Sequence, residues 1–249
     1  MIGVGKLAEA VKPIFLQSML RSILCLFYII VFVVYSPAQS CKTNAPCISS
    51  KDSMRGAIIR NPGKKLAALQ RVVPGLVIEM RYGTTNNFTK TVLYRHPVAC
   101  LRIAPANALR LVQEELNKKG YGLKVYDAFR PFSVTCRIWG MTRAKKYVAN
   151  PIKGSHHNRG AAVDVTIIDL KTGKELDMGT AYDDFSDSAH HNFLNLPELV
   201  LANRRLLKAT MKKYGFGMVP DEWWHYQWFR KMDYEVIDLD FDDLKEFIE

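Results

Sequence analysis

One apolar run near the start of the chain separates a segment that is not expected to join the folded domain from the rest of the sequence. The thirteen residues ILCLFYIIVFVVY (Ile23–Tyr35) follow the basic residues Lys6, Lys12 and Arg21 and precede the stretch SPAQSC. A helix of that length spans about 20 Å, which is short of the roughly 30 Å hydrocarbon core of a bilayer. We therefore predict that residues 1–40 are a signal peptide and that the protein is exported. An uncleaved anchor helix is the alternative interpretation.

Cys41 directly follows the predicted cleavage point. Ala38 and Ser40 are the small residues that a cleavage site needs just before it, and a small residue before a cysteine also resembles a bacterial lipoprotein signal. Ala38 stands where that signal usually has Leu. Two outcomes therefore stay open: a lipid on Cys41 that tethers the protein to a membrane, or simple secretion to the periplasm or outer surface. Met19 begins a compact signal peptide by itself and is an alternative start of the chain.

Export would place the cysteines of the mature chain where disulfides persist. Cys41, Cys47, Cys100 and Cys136 show no CxxC spacing, so a zinc knuckle is not expected. If Cys41 carries no lipid, the pairs we consider are Cys41–Cys47 and Cys100–Cys136. Spacing alone does not decide the pairing.

The remainder of the chain has the composition of a globular protein, with 48% hydrophobic and 24% charged residues. The net charge of +11 comes from scattered basic residues without a run of five or six. Aromatic residues are not interleaved with them on one face, as a groove that binds nucleic acid would require. We therefore expect no nucleic-acid partner.

Element order predicts the fold class. Residues 41–65 are rich in Ser, Asn, Pro, Gly and Lys and are predicted to be a linker, followed by a folded domain over 66–249 that ends in an acidic, solvated tail from Asp233. Within that domain, short strand patterns and two long helix patterns follow one another without regular βαβ alternation. This order predicts an α+β fold, a single domain with a small mixed or antiparallel sheet flanked by helices.

Two short polar motifs supply the residue types of a hydrolytic zinc site. SHHNRGAAVD contains His157 and Asp164, and DEWWHY contains Glu222 and His225. A catalytic zinc needs three protein ligands, an open position for water, and a nearby carboxylate that takes the proton of the water. We therefore predict that His157, Asp164 and His225 bind one Zn²⁺ per chain and that Glu222 is the general base.

A third motif, VYDAFRP, contains Arg130 between a predicted strand and Pro131, which resists continuation of the strand. A guanidinium fixed at such a bend can stabilise the oxyanion of a tetrahedral intermediate through paired donors. Asp127 is placed to orient this side chain. A structural Arg–Asp pair is the alternative interpretation.

These motifs together resemble those of D-alanyl-D-alanine dipeptidases of the VanX type. SHHNRGAAVD matches the pattern S-x-H-x-x-G-x-A-x-D, EWWH matches E-x-x-H, and YDAFRP is similar to the arginine segment of the family. Two further stretches, MRYGTTNNFT and MGTAYDDFSDSAHH, agree with it, and the last favours the dipeptidase branch. The resemblance covers roughly residues 69–229.

The resemblance implies substrate contacts in addition to the roles given above. Asp183, in YDDF, looks like the family's acidic contact for the free amino group of the substrate, and Tyr82 assists it. Ser155 is expected beside the dipeptide. We place Asp127 in the substrate site with them, next to Arg130.

The expected reaction is zinc-dependent hydrolysis of the dipeptide D-Ala-D-Ala in the turnover of peptidoglycan-derived dipeptides. A role in glycopeptide resistance ranks second, because an exported enzyme is poorly placed to remove the dipeptide before it enters wall precursors. A DD- or LD-carboxypeptidase that acts on stem peptides shares the metal motifs and is one alternative. A non-catalytic wall-binding lipoprotein is the other. The small dipeptide is the expected partner.

Overall fold

Strands and helices alternate irregularly along the residues that the computed structural model describes, 41–230 and 233–249. The strands are β1 Cys47–Ile48, β2 Leu66–Ala68, β3 Val77–Ile78, β4 Cys100–Arg102, β5 Tyr121–Asp127, β6 Ala162–Asp169, β7 Phe216–Val219, β8 Glu222–Trp228 and β9 Val236–Ile237. The helices are α1 Lys51–Arg60, α2 Leu69–Val72, α3 Ile103–Asn117, α4 Phe132–Met141, α5 Glu198–Lys213 and α6 Phe241–Leu244. The predicted signal peptide, residues 1–40, lies outside the described part of the chain. None of the helices within that part is long and apolar enough to cross a bilayer.

The main sheet has the strand order β3-β5-β6-β8-β7. β3 runs parallel to β5 and the other neighbours are antiparallel, so the sheet is mixed. Seven of the eight residues of the central strand β6 are buried, because its β-branched side chains are covered on both faces. The register places Asp164 opposite His225 on β8 and opposite Asp127 on β5.

Two amphipathic helices cover the sheet. Leu109, Val112 and Leu116 form the apolar face of α3 and are completely buried. α3 packs against β5 and α5, and α5 packs in turn against β7 and β6. Gly120 follows α3 with φ +80°, in the left-handed region where a glycine ends a helix at low cost. The predicted α+β single domain is therefore confirmed.

Residues 41–65 fold onto the domain and differ from the predicted linker. α1 begins at a capping box made by Ser50 and Ser53 and buries Met54 and Ala57 in the core. β1 pairs in parallel with β9, from the other end of the described chain. The polar residues that indicated a linker instead cap a helix and close turns, where their side chains bond to the backbone.

The acidic segment 233–249 also packs on the domain, contrary to the predicted solvated tail. Its apolar side chains are buried: Val236, Ile237, Leu239, Phe241, Leu244 and Phe247. Asp240 accepts a hydrogen bond from the Asp243 backbone at 2.8 Å and so caps α6. The acidic residues therefore alternate with buried apolar ones, and a high acidic content does not show that the segment is solvated.

The cysteine pairing differs from both pairs that the sequence suggested. Cys41 is bonded to Cys136 on α4. Cys100 is free and completely buried, and Cys47 is free and exposed. β4 carries Cys100 into the core, where burial raises the pKa of the thiol far above its ordinary value.

We expect removal of the disulfide to weaken the fold. The bond joins residues 95 positions apart, and such cross-links stabilise proteins by about 2–4 kcal/mol, mainly by restricting the unfolded chain. Cys136→Ala should therefore lower the free energy of unfolding in a urea titration by about that amount. Cys47→Ala removes an unpaired, exposed thiol and is the control, with an expected change within about 0.5 kcal/mol. Equal unfolding midpoints for the two variants would contradict the expectation.

Candidate metal centre

Three elements bring the predicted metal ligands together. His157 lies in the 3₁₀ turn that precedes β6, and Asp164 on β6 faces His225 on β8. Gly160 closes the turn with φ +66°, and a Cβ at this position would lie 2.9 Å from Leu66 Cδ2. Glycine is therefore needed there for both backbone conformation and space.

The three ligand atoms lie close enough to hold one ion. His157 Nε2 is 3.1 Å from His225 Nδ1 and 3.4 Å from Asp164 Oδ1, and His225 Nδ1 is 2.8 Å from Asp164 Oδ1. Zinc–ligand bonds of about 2.0–2.1 Å in a tetrahedral site place neighbouring ligand atoms about 3.3 Å apart. The donor set therefore fits one metal ion with the fourth position open. Among residues 41–230 and 233–249, these three are the group found to have this geometry.

A second hydrogen bond orients His157 and another orients Asp164. His157 Nδ1 lies 2.6 Å from the Ala128 carbonyl, which can only accept, so Nδ1 carries the proton and Nε2 offers its lone pair. The Tyr182 hydroxyl donates to Asp164 Oδ2 at 3.0 Å and leaves Oδ1 for an ion. Tyr182 is itself stacked on Tyr126, with ring centroids 4.7 Å apart.

Gln227 makes the corresponding contact to His225. Its side-chain nitrogen lies 3.0 Å from His225 Nε2. When Nδ1 is given to an ion, Nε2 carries the proton and needs an acceptor. A half-turn of the Gln227 amide presents its oxygen to that proton. Gln227 reaches the ligand because residues two apart on a strand share one face of the sheet.

Glu222 begins β8 beside the ligands without joining them. Its Oε2 atom is 3.9 Å from His225 Nδ1, and its side chain is 13% exposed. Burial, followed by the negative charge of Asp164, raises the pKa of Glu222 to about 8. A carboxyl group with a pKa near neutrality beside a metal site can accept a proton and return it.

Arg130 is held in place by Asp127. The Arg130 Nε and Nη2 atoms donate to Asp127 Oδ2 at 3.0 and 2.7 Å, and the guanidinium carbon lies 4.9 Å from the centre of the Tyr82 ring. Asp127 was predicted at the substrate, but it is completely buried and its other oxygen accepts from the Tyr94 hydroxyl at 2.8 Å. Asp127 is not among the residues that line the cavity, and both of its oxygens are already hydrogen-bonded, so it positions Arg130 and does not contact the substrate.

Asp183 has one carboxylate oxygen without a partner. Oδ2 is buried and receives no hydrogen bond, whereas Oδ1 accepts from the Tyr82 hydroxyl at 3.3 Å. Burial and the nearby charge of Asp164 raise the pKa of Asp183 well above its usual range. Because an unpaired buried acceptor is costly, this arrangement favours a ligand that brings a positively charged donor.

One cavity of about 360 Å³ connects these groups, at the small end of the range of about 300–1,000 Å³ for small-molecule sites. Ser155 lines it, with its hydroxyl accepting from the Asn158 backbone at 3.1 Å. The wall also contains residues that the sequence analysis did not single out: Phe88, Tyr147, Phe185, Trp224 and Gln227. Of these, Gln227 had a readable signal in its two-residue spacing from His225.

The remaining histidines of this region are not among the ligand group. His156 lines the cavity next to His157, and burial lowers its pKa to about 4. His190 lies 3.3 Å from the Tyr147 hydroxyl, and burial lowers the pKa of His191 to about 4.

The sequence has relatives among known peptidases. Residues 63–242 match the Peptidase_M15 family, described as D-ala-D-ala dipeptidase. A D-alanyl-D-alanine dipeptidase from Escherichia coli K12 is 32% identical over 163 residues, which are 66% of this chain and 84% of that protein. Another from Streptomyces coelicolor is 32% identical over 183 residues, 64% of this chain and 89% of that protein.

A solved LdcB LD-carboxypeptidase structure aligns with a TM-score of 0.33 and 22% identity, over 52% of this chain and 59% of that chain, a likeness too weak to carry an argument. The family match is much broader and contains the three ligand residues, Glu222 and Arg130. On the strength of that match and of the relatives, this chain belongs to the Peptidase_M15 family and is a peptidase.

Proposed function

We propose that this protein is a zinc-dependent D-alanyl-D-alanine dipeptidase. The observation that carries the proposal is a single cavity with three groups in its wall: the buried ligand cluster, the Glu222 carboxyl and the unpartnered Asp183 carboxylate. The relatives from Escherichia coli and Streptomyces coelicolor carry this activity in their names. A free dipeptide presents the ammonium and the peptide carbonyl that these groups suit.

The donor set favours zinc over other divalent ions. Two imidazole nitrogens and one carboxylate oxygen with an open fourth position are typical of catalytic zinc. Calcium and magnesium prefer oxygen ligands throughout. When bound, Zn²⁺ supplies a Lewis acid that polarises the scissile carbonyl and lowers the pKa of water toward about 7.

Glu222 carries the proton through the reaction. The positive charge of a bound ion offsets the burial that raises the pKa of Glu222, so its carboxylate form is available at the start. It accepts the proton of the attacking water and then donates a proton to the leaving amine. Both transfers use the same carboxyl group, because it lies next to the ligand His225 on the cavity wall.

Arg130 and Asp183 bind opposite charges of the reacting dipeptide, the first the oxyanion and the second the ammonium. Asp127 occupies the Nε and Nη2 atoms of Arg130, which leaves the other N–H groups of the guanidinium for the oxyanion that develops at the carbonyl. Asp183 receives the ammonium of the substrate at its free oxygen. Tyr82 and Ser155 line the same cavity and complete the substrate site.

We further propose that the protein is exported and turns over dipeptides derived from peptidoglycan. The Cys41–Cys136 bond supports an oxidising compartment, because disulfides are rare in the cytoplasm. The same bond uses the Cys41 sulfur that a lipid thioether would need. It therefore favours secretion without a tether over a lipid-anchored form.

The main alternative is a DD- or LD-carboxypeptidase, and an assay of two substrates separates it from the dipeptidase. The proposed function requires faster hydrolysis of D-Ala-D-Ala than of a stem pentapeptide that ends in the same two residues. The opposite order would reject it. The other alternative, a wall-binding protein without catalysis, would hydrolyse neither substrate. The Glu222 carboxyl beside the ligands argues against it, because a structural metal site needs no such group.

We expect Tyr182→Phe to weaken zinc binding without unfolding the protein. The substitution removes the hydroxyl that bonds Asp164 Oδ2, and loss of such an outer partner typically costs about 10–100-fold in metal affinity. Competition with a chromophoric chelator measures the dissociation constant. Tyr214→Phe, which removes a hydroxyl bonded to Glu115 at 2.8 Å away from the ligands, is the matched control. Equal affinities in both variants would show that Tyr182 does not orient the ligand.

We expect Glu222→Gln to lower kcat for D-Ala-D-Ala by about 10²–10⁴-fold, because a positioned proton carrier contributes that much. The zinc content, measured by elemental analysis, should stay at one ion per chain. Glu198→Gln on α5, whose carboxylate is paired with Arg205 at the surface, is the control and should keep wild-type turnover. Full activity in Glu222→Gln would remove the proposed base.

We expect Asp183→Asn to lower kcat/KM for D-Ala-D-Ala by about 30-fold or more, since it removes the charged partner of a buried ammonium. Propionyl-D-Ala has the length of the dipeptide and no ammonium, so its hydrolysis should change much less. The measurement is the ratio of the two kcat/KM values in variant and wild type. A loss that is equal for both substrates would contradict a contact between Asp183 and the amino group.

A further inference from the structure

Four aromatic side chains touch one another in sequence along one side of the cavity. We name this set the aromatic arc and define it as Tyr82, Phe88, Phe185 and Tyr147, all of which line the cavity. Ring centroids are 6.3 Å apart for Tyr82–Phe88, 5.0 Å for Phe88–Phe185 and 5.0 Å for Phe185–Tyr147. Rings at these distances are in van der Waals contact, so a peptide backbone cannot pass between neighbours.

The arc stands next to the carboxylate that is assigned to the amino group of the substrate. Tyr82, at one end, donates its hydroxyl to Asp183 at 3.3 Å, and Phe185 follows Asp183 by two positions. A peptide that continued beyond its amino end from Asp183 would therefore meet these rings. This is the direction in which a wall stem peptide extends from its terminal D-Ala-D-Ala.

Tyr147, at the far end of the arc, is held by contacts with residues that are not part of the arc. The Tyr147 hydroxyl lies 3.3 Å from His190 Nε2, and the neighbouring Lys146 forms a salt bridge of 3.4 Å with Asp221. Tyr147 is also stacked flat on Phe185, with an angle of 15° between the rings. These contacts hold Tyr147 against the rim of the cavity and keep the arc continuous.

A second cavity, of about 570 Å³, borders the arc at Phe88 and offers space for a longer peptide. Phe88 and Asp183 line both cavities. Lys90 and Asp184 are among the polar residues that line the second one. The Phe88 ring thus stands between the dipeptide-sized cavity and a larger polar space.

We propose that the aromatic arc sets the length of the substrate, with Phe88 and Phe185 as its specificity-determining residues. The proposal rests on the proposed dipeptidase function. Loss of the ammonium weakens binding of longer peptides at Asp183 but does not close the site to them, because the amide N–H that replaces it still donates a hydrogen bond. The rings exclude them by closing the path that the additional residue would take.

The test compares kcat/KM for D-Ala-D-Ala with kcat/KM for the tripeptide L-Lys-D-Ala-D-Ala in the zinc-loaded protein. Phe88→Ala and Phe185→Ala should each raise the tripeptide-to-dipeptide ratio by about ten-fold or more, the scale of discrimination by shape in a small pocket. Phe229→Ala deletes a ring that is 62% exposed and lies outside the arc, and this control should keep the wild-type ratio.

An unchanged ratio in a folded, zinc-loaded Phe88→Ala or Phe185→Ala variant would overturn the proposal, and either variant decides the question if the other does not fold. A wild-type protein that cleaves the tripeptide as fast as the dipeptide would overturn it as well. These results differ from failure of the proposed function, in which the wild type would not hydrolyse D-Ala-D-Ala at all.

Discussion

The backbone pairing of β6 with β8 is the interaction on which the site depends. It places Asp164 opposite His225, and the adjoining pair Val163 and Tyr226 is buried beside them. A slip of one residue would turn every side chain of a strand to the other face of the sheet. The register that buries the apolar neighbours is thus the same register that aligns the two ligands, and the core stabilises the geometry of the site.

This pairing gathers more buried carboxyl groups around the site than the nearby cationic side chains can neutralise. Asp127, Asp164, Asp183 and Glu222 gather around the same pairing, and burial raises the pKa of three of them: Asp127, Asp183 and Glu222. Arg130 offsets Asp127 at 2.7 Å, while the ligand histidines hold the pKa of Asp164 below its ordinary value despite its burial. In the proposed function, a divalent ion and a substrate ammonium supply the charge that the other two carboxyl groups lack.

The sequence predicted the fold class and the residues that meet at the metal centre, because each motif carries its chemistry within a few positions. His157 and Asp164 are joined by one turn and one strand, and Glu222 and His225 lie on the same strand. It did not predict the burial of 41–65, since β1 finds its partner in β9 at the opposite end of the described chain. Pairings between distant segments leave little local trace, and the Cys41–Cys136 bond escaped prediction for the same reason.

The amide of Gln227 determines whether His225 Nε2 keeps a hydrogen-bond partner when the tautomer of the ring changes. An amide has a donor at one end and an acceptor at the other, so one side chain can satisfy His225 Nε2 in either tautomer by turning over. A carboxylate or an ammonium at this position would suit a single tautomer. His225 Nε2 therefore keeps a hydrogen-bond partner in either tautomer, and binding of an ion at Nδ1 would require only this rotation at position 227.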